Sequence, residues 1–380
     1  MVGPLASYGA GFHAQLVALG YAQRSAENQV LLMSQVSRWM AEHSLTTDDL
    51  VPEVIDQFLA TRRSEGRNER MSPAGLSRLI GYLRTLSVVP VINESTTDLD
   101  RLLGRYQTYL ATERGLAPGT VRPYLAAARL FLSQRGTPND LRLDDLTPGQ
   151  VNAFVVREVH ARRSGRYIAT GTRALLRFLH VQGRIASPLA LVVPSMAHWR
   201  LRSLPKALDR DQVDRLLASC GRGTPHGLRD FAILTVLARL GLRAGEVAEL
   251  KVHDVDWRRG EVVVHGKGSR EECLPLPVDV GEAIVDWLLH GRPRCKDPHL
   301  FTRIPAPHAG ITSIAVTSVV RAACRRAGLP VTGAHALRHT VATMMLRTGA
   351  GLPEIGQVLR HRSIATTAIY AKVDRASLSS

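Results

Sequence analysis

The fold turns on "HALRHTVATMMLRTGAGLPEIGQVLRHRSIATTAIYAKV", His335 to Val373. Leu337, Val341, Met344 and Met345 make one apolar stripe at helical spacing, and His335, Arg338 and His339 lie on the other side. A histidine and an arginine are thus presented together near a helix N-terminus, a place favourable to anions. Two histidines four apart are also a zinc pattern, but no Glu follows the first one as an HExxH site requires. After a Gly-marked break, "LPEIGQVLRHRSIATTAIY" reads as a helix, a second break and another helix that ends at Tyr370. No other tyrosine follows Tyr167. If this part of the chain uses a tyrosine chemically, Tyr370 is the one candidate.

Working back toward the N-terminus, three more features belong to the same region. "DRDQVDRLLASC" is a helix opened by an Asp cap, and "HGLRDFAILTVLARLGL" has the all-round apolar character of a buried helix. In "LGLRAGEVAEL" (Leu240–Leu250), Arg243 follows a Gly-containing break between two helices, where an arginine holds either a phosphate or a backbone carbonyl. "GEVVVHGKGSREECLPLP" alternates around a Gly-rich turn as a β-hairpin does, with Lys267 between two glycines at its tip. Taken alone, that lysine is equally a solvated turn residue. Three helical stretches are expected after the hairpin. The region is a mostly helical α+β domain with a small antiparallel sheet.

The first half is helical and carries a weak internal repeat. "DDLVPEVIDQF" (Asp48–Phe58) resembles "DDLTPGQVNAF" (Asp144–Phe154) at an offset of 96 residues. At the same offset Leu79, Tyr82 and Leu83 match Leu175, Phe178 and Leu179. In both copies a proline starts a helix, where its missing N–H costs nothing. Each copy then reaches an Arg-rich stretch. Those stretches supply Arg62, Arg63, Arg67, Arg162, Arg163 and Arg166, as phosphate contacts or as solvated helix faces. The expected organisation is an N-terminal helical domain over 1–92, a possible duplicate of the next, and a helical core-binding domain over 93–190. A basic, proline-marked linker with Arg200 and Arg202 follows over 191–207, and then the α+β domain over 208–380. Overall the chain is mainly α.

Composition narrows the partner. A formal charge of +16 is the electrostatic footprint of a polyanion binder. The 44 arginines against 5 lysines fit codon bias in a GC-rich genome, which leaves the net charge itself unexplained. Cys220, Cys273, Cys295 and Cys324 form no CxxC pair, so neither a zinc site nor a disulfide frame is indicated. There is no apolar run of membrane-spanning length and no secretory pattern at the N-terminus, so no membrane is expected and a cytoplasmic, nucleoid-associated location is.

The order Arg243, Lys267, His335-x-x-Arg338, His361, Tyr370 resembles the tyrosine recombinase family of the phage-integrase type. "LGLRAGEVAEL" looks like the family's first box, and the long stretch quoted at the outset looks like its second almost end to end. The resemblance covers about residues 205–373, and extends to 97–185 as a four-helix, DNA-clamping domain. It implies that Arg243 and Arg338 bind the scissile phosphate, that Tyr370 is the nucleophile, and that Lys267, His335 and His361 complete the catalytic set. Glu246 falls at an acidic position that supports Arg243. No metal and no cofactor are implied. The implied partners are double-stranded DNA with specific sites and a homo- or hetero-tetramer of recombinase subunits. A type IB topoisomerase and a non-catalytic DNA-binding protein remain as alternatives. Two departures stand out. Arg360 replaces the glycine usual before the later histidine, and its charge either contacts DNA or is merely tolerated. The tail after Tyr370 is short.

Overall fold

The computed structural model describes residues 1–66, 73–89, 97–161, 165–194, 207–266 and 270–360. These fall into two compact units, Val91–Arg200 and the combination of Met1–Pro90 with Leu201–Ser380. No helix among the described residues is long and apolar enough to cross a membrane.

In the smaller unit, α5 (Asp98–Thr108) runs into a π-helical turn (Tyr109–Glu113), followed by α6 (Pro118–Leu132), α7 (Pro148–Ala161) and α8 (Gly165–Val181). Thr97 starts α5 by accepting the Asp100 backbone N–H at 3.1 Å. Pro118 and Pro148 each sit in a first turn, where a donor would be idle. Tyr106, Phe131, Phe154 and Phe178 fill the core. A two-residue-per-strand hairpin, β1 (Gly136–Thr137) with β2 (Asp140–Leu141), joins α6 to α7. The sequence pattern gave no sign of it, because strands this short show no alternation.

The first residues of the larger unit form α1 (Gly9–Ala18), α2 (Gln23–Glu42), α3 (Pro52–Ser64) and α4 (Pro73–Thr85) around Phe12, Met33, Trp39, Phe58 and Leu83. Both four-helix sets bury the residues paired by the repeat: Phe58 and Phe154, Leu79 and Leu175, Tyr82 and Phe178, Leu83 and Leu179.

The remainder is built around α10 (Pro225–Leu240), which is buried on nearly every side. α9 (Arg210–Ala218) precedes it, and Asp209 caps α9 by accepting the Gln212 N–H at 2.7 Å, as the sequence indicated. After α10 come α11 (Ala244–Glu249) and a three-stranded antiparallel sheet of β3 (Val255–Asp256), β4 (Glu261–Gly266) and β5 (Arg270–Pro275), in that order. Val262 and Val264 point to the core while Val263 and His265 do not, which is the period-2 pattern of a half-buried strand. Then follow α12 (Val278–Asp286) with a π-helical turn (Trp287–Gly291), α13 (Ser313–Arg326), α14 (Ala334–Arg347) and α15 (Leu352–Val358). Three stretches ending at Tyr370 are expected from the sequence, the last of which lies outside the described residues, whereas the described residues alone hold four helices after the hairpin. Among them is α12, which the sequence reading did not single out; Val280, Ala283, Ile284 and the following Trp287 recur at helical spacing and are buried. Trp287 is fully enclosed, and its Nε1–H donates to Leu300 O at 2.8 Å. Burial without an orphaned donor is what makes a core tryptophan stabilising.

Candidate active site

Gly241 sets the site's geometry. It ends α10 in the left-handed conformation (φ +59°), and a Cβ there would lie 2.9 Å from Leu359 Cδ2. Only glycine meets both demands cheaply. The turn buries Leu242 and leaves Arg243 in extended backbone at the start of α11. Three residues on, Glu246 accepts the Arg243 backbone N–H at 2.8 Å and Arg243 Nη1–H at 2.5 Å. A carboxylate in a first helical turn is favourably placed for the exposed N–H groups there. The other arm of the guanidinium, Nη2, donates to Arg360 O at 3.2 Å.

Arg338 approaches from α14. It is 3 % exposed; Nη1 donates to Gly241 O at 2.7 Å and Nη2 to Leu359 O. The two arginines, 95 positions apart in sequence, therefore converge on the carbonyls of residues 359 and 360, just past α15. Arg360 has a left-handed backbone (φ +54°). Its side chain turns inward: Nη2 lies 2.7 Å from Glu246 Oε2 and Nε 3.4 Å from Glu272 Oε2 on β5. Burial pushes the Glu246 pKa up. The Arg243 backbone N–H, the Arg360 charge and the Arg243 side chain outweigh it and hold the group below the ordinary carboxylate range. Glu246 is therefore ionised, as the supporting role expected of it requires.

His335 is exposed at the start of α14, and His339 is half-buried one turn on, their rings 6.0 Å apart. Burial first, then the charges of His335 and Arg338, push the His339 pKa down to about 4. His339 is thus neutral near pH 7. Among the described residues no group of three or more His, Cys, Asp or Glu side chains is placed to hold a metal.

The apolar stripe of α14 differs from its sequence reading. Leu337 and Val341 are buried, but Met344 is 37 % exposed and Arg338 lies inside rather than on an open polar side. The reason is packing on two flanks. Small residues, Ala336, Thr340 and Thr343, are buried along α14, while Val341 and Ala342 form a cluster with Ile355 and Leu359. A helix covered on both sides has no free polar face to give Arg338.

Lys267, His361 and Tyr370 lie outside the described residues, as do Arg67, Arg162, Arg163, Arg200 and Arg202 and the side chain of Arg166. Arg62 is nearly buried and pairs with Glu65 at 3.2 Å, whereas Arg63 is exposed. Sequence reasoning missed Glu272 and the carbonyls of Gly241, Leu359 and Arg360. The "LGLR" break pointed to a structured junction, but which carbonyls it would aim at leaves no mark on side-chain identity.

The chain matches the phage integrase family over residues 206–377. It is similar to the putative integrase/recombinase y4rA of Sinorhizobium fredii (strain NBRC 101917 / NGR234), with 38% identity over 380 residues, 98% of this chain and 92% of that protein. It is also similar to the tyrosine recombinase XerD of Listeria innocua serovar 6a (strain ATCC BAA-680 / CLIP 11262), with 30% identity over 294 residues, 74% of this chain and 96% of that one. Among solved structures, the XerH site-specific recombinase bound to a palindromic difH substrate shares the fold. The TM-score is 0.57 at 17% identity, over 76% of this chain and 96% of that one. With 38% identity to one recombinase relative over nearly its whole length, the chain belongs to the phage integrase family of tyrosine recombinases.

Proposed function

We propose that this enzyme, a site-specific DNA recombinase, cuts and rejoins DNA through a covalent 3′-phosphotyrosyl bond to Tyr370. The observation that carries the reading is the convergence of Arg243 and Arg338 on residues 359–360, immediately before His361. Phosphoryl transfer is mainly positioning and charge stabilisation. Two guanidinium forks can grip both non-bridging oxygens as negative charge builds. Neither can act as the base, since arginine has a pKa above about 12. In the reaction proposed, Tyr370 Oη attacks phosphorus, His335 accepts its proton, and the 5′-oxygen leaves with a proton from Lys267. His361 hydrogen-bonds the phosphate. Such proton transfers each contribute about 10² to 10⁴ in rate. The phosphotyrosyl bond keeps the energy of the bond broken, so a free 5′-hydroxyl can reverse the step without ATP.

Strand cleavage on a nicked suicide substrate is expected to persist in EDTA and to map to one defined sequence. Loss in EDTA would mark a metal-dependent reaction. Relaxation of plasmids with no preferred sequence would mark a topoisomerase instead.

The surrounding organisation belongs to the same proposal. Residues 93–190 act as the core-binding domain, 191–207 as a basic linker and 208–380 as the catalytic domain. The four helices within 1–92 are a duplicate of the core-binding domain that lengthens the DNA footprint. The shared order of helices and the equivalent buried positions support this. Removing residues 1–92 is expected to shorten the protected DNA; an unchanged footprint would refute the role. Assembly as a tetramer on two duplexes, service to a mobile element and a cytoplasmic, nucleoid-associated location complete the reading.

A further inference from the structure

Arg360 carries two costs. Its backbone is left-handed, a conformation a bulky residue adopts only when its surroundings impose it. Its side chain is also only 6 % exposed, with Nε and Nη1 making no hydrogen bond among the described residues; Nε meets Glu272 as an ion pair only. Glycine at this position would remove both. A residue kept under two penalties points to a use for its side chain.

The use is visible in how Glu246 is shared. One oxygen of that carboxylate receives Arg243 Nη1 and the other receives Arg360 Nη2. Without Arg360, the buried carboxylate would face Arg243 alone, and the pair would be neutral. Arg243 would be drawn onto Glu246 and would present little net charge to a phosphate. With Arg360, one oxygen of Glu246 is held by a second guanidinium, so Arg243 does not have the carboxylate to itself. The same guanidinium reaches Glu272, which pairs with Val264 in the β4–β5 register. One side chain thereby links α11, the β-hairpin and the end of α15.

We propose that Arg360 is a positioning residue: it occupies half of the Glu246 carboxylate and lies beside Glu272, leaving Arg243 oriented for the scissile phosphate. This rests on the assignment of Arg243 as a phosphate-binding residue.

The test uses the full chain and a nicked suicide substrate, with covalent capture followed in single turnover at saturating DNA and DNA affinity measured separately. Arg360→Gly suits the left-handed backbone, so the variant is expected to fold, with melting as the check. The expected result is a capture rate lower by about 10- to 100-fold, as for small misplacement of a reacting group, with affinity little changed. Arg360→Lys should recover part of the loss, and Arg360→Gly with Glu272→Gln should be no slower than Arg360→Gly alone. A wild-type rate in Arg360→Gly would overturn the inference. So would a loss confined to affinity, a loss that lysine does not relieve, or losses that multiply in the double variant. Covalent capture by Tyr370→Phe would instead sink the underlying reading; with that variant inert, a wild-type Arg360→Gly defeats only the role of Arg360.

Discussion

Tyr370→Phe is expected to bind its target DNA with unchanged affinity and to form no covalent complex. The change removes one oxygen and keeps the ring. Whatever packing the side chain has is preserved, and the group that would attack phosphorus is lost. Where a covalent nucleophile is removed from other enzymes the loss is on the order of 10⁶-fold, so capture should fall below detection. The substrate is a nicked duplex whose cleaved fragment diffuses away, which makes covalent protein–DNA product accumulate. Capture by the variant at any appreciable rate would mean that another residue is the nucleophile. The choice is unusually clean here, since no tyrosine between Tyr167 and Tyr370 competes for the role.

Arg243→Lys is expected to reduce the cleavage rate by about 10² to 10³-fold, the usual cost of losing one donor to a developing negative charge. Charge is retained and geometry is not. Arg243 reaches Glu246 Oε1 with one nitrogen and Arg360 O with another, and only a planar fork spans both while facing a phosphate. A single ammonium group would settle on Glu246, the nearest carboxylate. Single-turnover cleavage at saturating DNA separates this from weaker binding. A lysine variant that cleaves at the wild-type rate would show that Arg243 contributes charge alone.

Much of this was legible from sequence because the site is assembled from local signals. The all-round apolar character of "HGLRDFAILTVLARLGL" marked a buried helix, and Gly241 marked its end, so Arg243 stood at a junction before any coordinates. The β-branched run before the Gly-rich stretch and the alternating residues after it pointed to β4 and β5. The illegible part is what depends on tertiary surroundings. Met344 falls on the same helical stripe as Leu337, yet nothing in that spacing says that α14 is covered on two flanks and buries Arg338 instead. Glu272 is an ordinary strand residue until Arg360 arrives beside it from 88 positions away. Arg360 itself could be flagged as unusual, but its inward direction follows from the left-handed end of α15, a backbone property.

The carbonyls of Gly241, Leu359 and Arg360 have a consequence for how the enzyme meets its substrate. A carbonyl fixes the direction of a guanidinium without cancelling its charge, as a carboxylate would. Arg338, held by two of them, is fixed in direction when the protein folds. In the proposed reaction, arriving DNA therefore need not organise that side chain, and the ordering cost has been met when the protein folded. In that proposal, selectivity for the right moment comes from elsewhere, because half of the proposed phosphate grip is set before DNA arrives.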